Sequence, residues 1–204
     1  MAPEKWTPER RRELTRRALL DSAAELFAKR GFHAASLDEI AESAGFTRGA
    51  IYSNFESKEE LFLAVLERHV NEQLSSFAPL IEQQGGPGSM DTAAIAKAMQ
   101  ETAGDEKWTA LNLEFNLYAL RNPEVRELLA AQYKKMHDVM VRFVREMTEG
   151  SGIAFKIPVE DLVAVMDGAS WGLSLHALID PRQDHLLELF LKLIDEAAIT
   201  FPDA

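Results

Sequence analysis

The stretch from Ser36 to Lys58, Ser-Leu-Asp-Glu-Ile-Ala-Glu-Ser-Ala-Gly-Phe-Thr-Arg-Gly-Ala-Ile-Tyr-Ser-Asn-Phe-Glu-Ser-Lys, constrains the fold more than any other part of the chain. Ser36 followed by Glu39 is a capping-box pattern that starts a helix. Gly45 suits a turn that ends it, and Thr47 suits the N-cap of a second short helix, expected to run eight residues to about Asn54. Ser57 with Glu60 repeats the capping pattern and starts a third. Leu37, Ile40, Ala41, Phe46, Ile51 and Phe55 are placed to hold these helices together. The outline is a helix-turn-helix.

The flanking sequence extends this reading. Thr7-Pro8 is a helix start, and Leu19, Ala23, Leu26 and Phe27 recur at helical spacing up to Gly31. After Ser57 a helix carries Leu61, Leu66 and Leu74, with Pro79 expected to kink or end it near Phe77. Gly85-Gly86-Pro87-Gly88 reads as a linker; without a following Lys-Ser/Thr it is not a phosphate loop. Trp108, Leu111, Phe115 and Tyr118 form one helical stripe, with Leu113, Leu117 and Leu120 on a second. Leu129, Tyr133, Met136, Met140, Phe143 and Met147 form another helix, Pro158 opens one through Ile179, and Asp180-Pro181 begins the last. No strand pattern of useful length and no internal repeat is visible. The expected fold is all-α: about nine helices, with a helix-turn-helix domain over 1–56, an Arg-rich extension over 1–12, and a helical bundle over 57–204.

Charge decides which partners suit this organisation. The net charge of −11 is wrong for nucleic acid if evenly spread. It is not: residues 1–55 hold 9 Lys/Arg and 8 Asp/Glu, whereas 56–204 hold 13 and 25. Arg10, Arg11, Arg12, Arg16 and Arg17 crowd into one stretch, so a locally basic head precedes an acidic body. The chain has no cysteine, which excludes disulfides and thiolate metal sites. The apolar run from Leu162 to Ile179 contains Asp167 and His176 and reads as a bundle helix, not a membrane span. A cytoplasmic location is expected.

A helix that reads DNA needs small or polar residues at its N-terminal end and donors around it for phosphates. Gly49 and Ala50 permit close approach, and Arg48 reaches a guanine edge or a phosphate. Thr47, Tyr52 and Lys58 are candidate phosphate donors, and Ser36 offers a hydroxyl at a helix start. Ser53, Asn54, Arg10, Arg11 and Arg12 complete the candidate set. The alternative for each is an ordinary cap or surface position.

The motifs Ala-Glu-Leu-Phe-Ala-Lys-Arg-Gly-Phe (24–32), Ser-Leu-Asp-Glu-Ile-Ala (36–41), Ala-Gly-Phe-Thr-Arg-Gly-Ala-Ile-Tyr (44–52) and Phe-Glu-Ser-Lys-Glu-Glu-Leu (55–61) resemble the DNA-binding domain of the TetR family of transcriptional regulators. The resemblance implies an all-α homodimer on operator DNA whose C-terminal domain binds a small effector. It places DNA contacts at Ser36, Thr47, Arg48, Gly49, Tyr52, Asn54 and Lys58. Asn54 stands where many members carry His.

The body shows no catalytic or metal motif: no Glu-x-x-His, His-Glu-x-x-His or Gly-x-Ser-x-Gly. No enzyme activity, metal or cofactor is expected. Trp108, Leu111, Phe115, Tyr118, Tyr133, Met136, Met140, Met166 and Trp171 are candidate walls of a cavity, with Asn112, Glu114, His137 and Asp167 as its polar groups. The alternative is a filled core. The last helix is apolar on two faces, Leu186, Phe190, Leu193 and Ala197 on one, Leu187, Leu191, Ile194 and Ala198 on the other. One face needs a second subunit, so Leu173, Leu187, Phe190, Leu191 and Ile194 are candidate dimer contacts. The expected function is a repressor released from a near-palindromic operator by a small, largely apolar effector. A ligand-binding or enzymatic bundle with a vestigial head, or a DNA-binding protein without an effector, stands as the alternative.

Overall fold

A computed structural model describes residues 7–83, 106–150, 152–183 and 185–200. Eight α-helices are present among them: α1 (Pro8–Ala34), α2 (Leu37–Ser43), α3 (Arg48–Tyr52), α4 (Lys58–Gln83), α5 (Glu106–Arg121), α6 (Pro123–Thr148), α7 (Val159–Ile179) and α8 (Leu186–Ala198). The one sheet among these residues is a pair of two-residue strands, β1 (Ala154–Phe155) and β2 (Ile199–Thr200), antiparallel with Ala154 opposite Thr200. The expected linker at Gly85–Gly88 lies outside the described residues, as do residues 1–6 of the Arg-rich extension.

The chain divides into two compact units, Met1–His69 with Lys107–Leu129, and Val70–Glu106 with Ala130–Ala204. The first unit follows its caps closely. The Thr7 hydroxyl accepts from the Arg10 amide at 3.2 Å, with Pro8 in the first turn. Gly31 breaks α1 at φ 79°, ψ 169°, a conformation that only glycine adopts cheaply. The α2 box is complete: Ser36 Oγ accepts from the Glu39 amide and Glu39 accepts from the Ser36 amide. Gly45 turns the chain at φ 77°.

Several local expectations differ. Thr47 makes no side-chain cap bond, and α3 is five residues long rather than eight. At the start of α4 only half the box forms: Ser57 Oγ accepts from the Glu60 amide, but the Glu60 carboxylate takes the Glu56 amide instead. Phe46 lies 37% exposed, outside the head core. Of the two effects expected of Pro79, a kink or an end, the end does not occur there, since α4 continues to Gln83. A proline removes one backbone donor and need not end a helix whose neighbouring turns stay paired.

The core of this unit is aromatic. Phe27, Phe32, Phe62 and Phe115 are fully buried with Leu19, Ile40, Ile51 and Leu61. Phe62 stacks on Phe115 at 4.1 Å, and Phe32 meets Phe115 edge-on at 4.8 Å. Each such ring removes enough surface from water to be worth about 1.5–3 kcal/mol. Phe115 comes from α5, so α5 packs as part of the head.

In the second unit, Val141 on α6, Leu162 and Val163 on α7, and Leu187 and Leu191 on α8 are buried. An Arg145–Glu160 ion pair ties α6 to α7, and Asp180 closes the turn before α8 by accepting from Arg182 and Gln183. This corrects the expected dimer surface. Leu187 and Leu191 point into their own subunit, and the exposed leucines of α8 are Leu189 (48%) and Leu193 (55%). Leu173, Phe190 and Ile194 are half-buried. Val165, Leu178 and Ile179 of α7 are exposed as well.

Candidate nucleic-acid interface

Helix α3 sits on the head with Ile51 buried beneath it and Phe55 buried just beyond its end. Burial of that side turns Thr47, Arg48, Gly49, Tyr52 and Ser53 outward, with Ala50 half-buried. A Cβ built on Gly49 meets only Thr47 Oγ1, at 3.8 Å, so the surface there is open. The exposed face therefore begins with a small hydroxyl residue, carries one arginine and one tyrosine, and has no bulky group between them.

Arg48 is the most organised side chain on that face. Its Nε lies 3.0 Å from Asp38 Oδ1 on α2. Its Nη2 donates to the Tyr52 hydroxyl at 3.2 Å, and its Cζ stands 5.5 Å from the Tyr52 ring centre. The Tyr52 bond and the Asp38 carboxylate together hold the guanidinium pKa above its usual value. Asp38 was not among the expected site residues. Its partner lies ten residues away across a turn, beyond the i+3/i+4 spacings that a sequence reveals.

Several expected phosphate donors already bond within the head. Lys58 Nζ donates to the carbonyls of Phe32 (2.9 Å), His33 (3.3 Å) and Ala35 (3.1 Å), capping the end of α1. Burial holds its pKa below the usual lysine value, against the pull of Glu59 and Glu114. Asn54 Nδ2 donates to the Ala50 carbonyl and to Ser53 Oγ, and Ser53 Oγ donates to Ala50 as well. The Ser36 hydroxyl is committed to its capping box with Glu39. Arg30 and Ser36 hold the Glu39 carboxyl below the usual range.

The arginines divide by face. Arg12 Nη2 reaches the Ser53 carbonyl at 3.4 Å, and Arg16 Nη1 reaches the Asn54 carbonyl at 3.1 Å while lying over the Phe55 ring at 4.3 Å. These two, one helical turn apart, brace the end of α3. Arg11 and Arg17 are exposed and Arg10 half-exposed on the remaining faces of α1.

The expected cavity residues also divide. Leu111, Asn112 and Phe115 are buried in the first unit, so there the filled core prevails. Asn112 bonds its own helix at the Trp108 carbonyl, and Trp108 lies against His69. The Tyr118 hydroxyl donates to Glu59 at 2.9 Å, which raises its pKa. The Glu114 carboxylate accepts from the amides of Phe32 (3.0 Å) and His33 (2.9 Å) at the Gly31 break. In the second unit, Met136, His137, Met140 and Met166 are half-buried, and Tyr133, Asp167 and Trp171 more open. Desolvation raises the Asp167 pKa, with His137 pulling it down, although the residue as a whole is exposed. No group of three metal-ligating side chains gathers among the described residues.

A three-helix head with an outward α3 and a separate helical body is the architecture of a helix-turn-helix transcriptional regulator. Residues 19–65 match the family described as bacterial regulatory proteins, tetR family, and residues 90–198 match the C-terminal domain of BetI-type transcriptional repressors. The chain belongs to the TetR family. It is 50% identical over 64 residues to the transcriptional activator FasR of Mycolicibacterium smegmatis, an alignment spanning 31% of this chain and 29% of FasR. It is 27% identical over 159 residues to the transcriptional repressor AcnR of Corynebacterium efficiens, spanning 76% of this chain and 79% of AcnR. The fold is similar to that of FadR from Bacillus subtilis in complex with stearoyl-CoA, with TM-score 0.62 and 19% identity over 87% of this chain and 96% of that one.

Proposed function

We propose that this chain is a cytoplasmic, homodimeric repressor that lays α3 of each subunit into successive major grooves of a near-palindromic operator. The observation that carries the reading is the outward face of α3, small at Thr47, Gly49 and Ala50 and cationic at Arg48, with Ile51 and Phe55 anchoring its other side. Residues 1–56 supply the DNA contacts: Thr47, Arg48, Gly49, Ala50, Tyr52 and Ser53 at the groove, Arg10 and Arg11 from α1. Ser36, Asn54, Lys58 and Arg12 act by fixing the shape of the head. The longer match to AcnR, named a repressor, and to the BetI-type repressor domain supports repression.

Residues 57–204 dimerise and take the effector. Leu189 and Leu193 on α8 and Val165 and Ile179 on α7 are exposed apolar side chains, and a twin subunit covering them gives a four-helix seam. Tyr133, Met136, His137, Met140, Met166, Asp167 and Trp171 supply adaptable apolar walls and one carboxylate for a small, largely apolar molecule. That FadR was solved with stearoyl-CoA supports a body of this fold holding such a molecule.

The test is a mobility shift on the intergenic DNA beside the gene at moderate salt. Wild type is expected to bind and Arg48→Ala and Tyr52→Ala to weaken it. Absence of binding to any neighbouring intergenic fragment refutes the reading.

A further inference from the structure

Asp38 presents a puzzle within this face. A carboxylate placed beside incoming phosphates repels them, and an exposed ion pair adds little stability: both side chains keep more than half their surface, 64% for Arg48 and 60% for Asp38. Its place in the first turn of α2 suits the helix N-terminus, but neither that nor non-specific attraction for DNA requires it to sit 3.0 Å from the one cation on α3.

The covalent geometry of the guanidinium supplies a reason. Its Nε and Nη2 lie along the same edge, with the Asp38 carboxylate beside the first as an ion pair and the Tyr52 hydroxyl accepting from the second. Nη1, on the end edge that it shares with Nη2, meets no partner among the described residues. Two parallel donors on that edge match the O6 and N7 acceptors of guanine in the major groove. Contacts at these two points bias Arg48 away from a phosphate without locking it, and its charge is partly balanced.

We propose that Asp38 is a specificity-determining residue that holds Arg48 for guanine recognition and suppresses its use as a phosphate contact. This rests on the DNA-reading role proposed above. Asp38 positions Arg48 and touches no base itself. It lowers affinity for arbitrary duplex and raises discrimination at one position of each half-site.

The experiment is selection from a pool of random-sequence duplex DNA at fixed salt, with wild type, Arg48→Ala, Asp38→Ala and Asp38→Asn in parallel. Wild type should enrich guanine at one position per half-site, by on the order of 10- to 100-fold over other bases. Arg48→Ala should lose that preference alone. Both Asp38 variants should lose most of it at the same position while binding unselected duplex more tightly. A merely structural role for Asp38 would weaken all binding together and would not coincide with the base that Arg48 reads. Unchanged discrimination in Asp38→Ala and Asp38→Asn, or a loss at a different position from Arg48→Ala, overturns the inference and leaves DNA reading intact. Enrichment of no sequence by wild type overturns the DNA reading, and the inference with it.

Discussion

Substitution of Gly31 by Ala tests how the head is fastened to α5. The perturbation has two parts. The backbone at φ 79°, ψ 169° lies where L side chains rarely go, and holding Ala there costs about 1–3 kcal/mol. An added Cβ also overlaps Glu114 Oε2. The carboxylate is the end of a flexible side chain, so it moves away, and the cost becomes the two bonds it gives up. The Phe32 amide is part-buried and the His33 amide exposed, so water replaces only the second. Losing one charge-assisted bond to a part-buried donor costs about 1.5–3 kcal/mol.

Glu114→Ala alone removes the same bonds and should cost about 1.5–3 kcal/mol, while Gly31→Ala carries both parts, about 2.5–6 kcal/mol together. The double variant should be no worse than Gly31→Ala, because the Cβ has already dislodged the carboxylate. Contacting residues deviate from additivity in this way, and the cycle measures it. Urea unfolding of all four proteins at one concentration, followed by tryptophan fluorescence, gives the midpoints; Trp108 lies on α5 within the same unit. If the two single costs simply add in the double variant, the carboxylate does not bind at the break and this account of the α1–α5 junction is wrong.

Other outcomes follow from the same contacts. Lys58→Met keeps the aliphatic stem but strips a partner from part-buried carbonyls, so it should lower unfolding stability by about 1–3 kcal/mol and reduce DNA affinity less than Arg48→Ala does; a larger effect on DNA than on stability in urea would restore the phosphate role. Glu39 titrates below its usual value because Arg30 and Ser36 favour the charged form. Its contribution is therefore present above the unfolded carboxylate pKa and lost as pH falls through the lower folded one. The melting-temperature difference between wild type and Glu39→Gln should shrink across that acid window, and a constant gap would contradict it. Leu193→Glu should give folded monomers by light scattering, whereas Leu191→Glu should disrupt the subunit, since only Leu193 is exposed.

Local signals carried the head further than the body. Thr7-Pro8, the Ser36–Glu39 box and the turn at Gly45 concern residues a few positions apart, and each does in the structure what its spacing predicts. The sequence could not reveal which polar residues were already spoken for. Lys58 lies 23 residues or more from each carbonyl it caps, and Glu114 more than 80 from the amides it binds. A donor on a helix start looks the same whether it waits for phosphate or closes the end of another helix. Arg12 and Arg16 did carry a hint, because their i,i+4 spacing sets them on one side of α1, the side that meets the end of α3.

Helix α8 shows why two-sided apolar helices defeat this kind of reading. Periodicity shows Leu186, Phe190 and Leu193 on one side and Leu187, Leu191 and Ile194 on the other, but the two stripes are alike in composition and length. Choosing between inner and outer faces needs a third element. Here α7 packs against α8, Leu187 and Leu191 are buried, and Leu189 and Leu193 lie outside. The same ambiguity affected α5, where Phe115 and Tyr118 read equally well as cavity wall or core. The deciding fact is that Phe32 and Phe62 arrive from α1 and α4 to meet Phe115. Three rings from three helices interlock there, as a filled core requires. The proposed effector site therefore draws on the helices that leave methionines half-covered, α6 and α7.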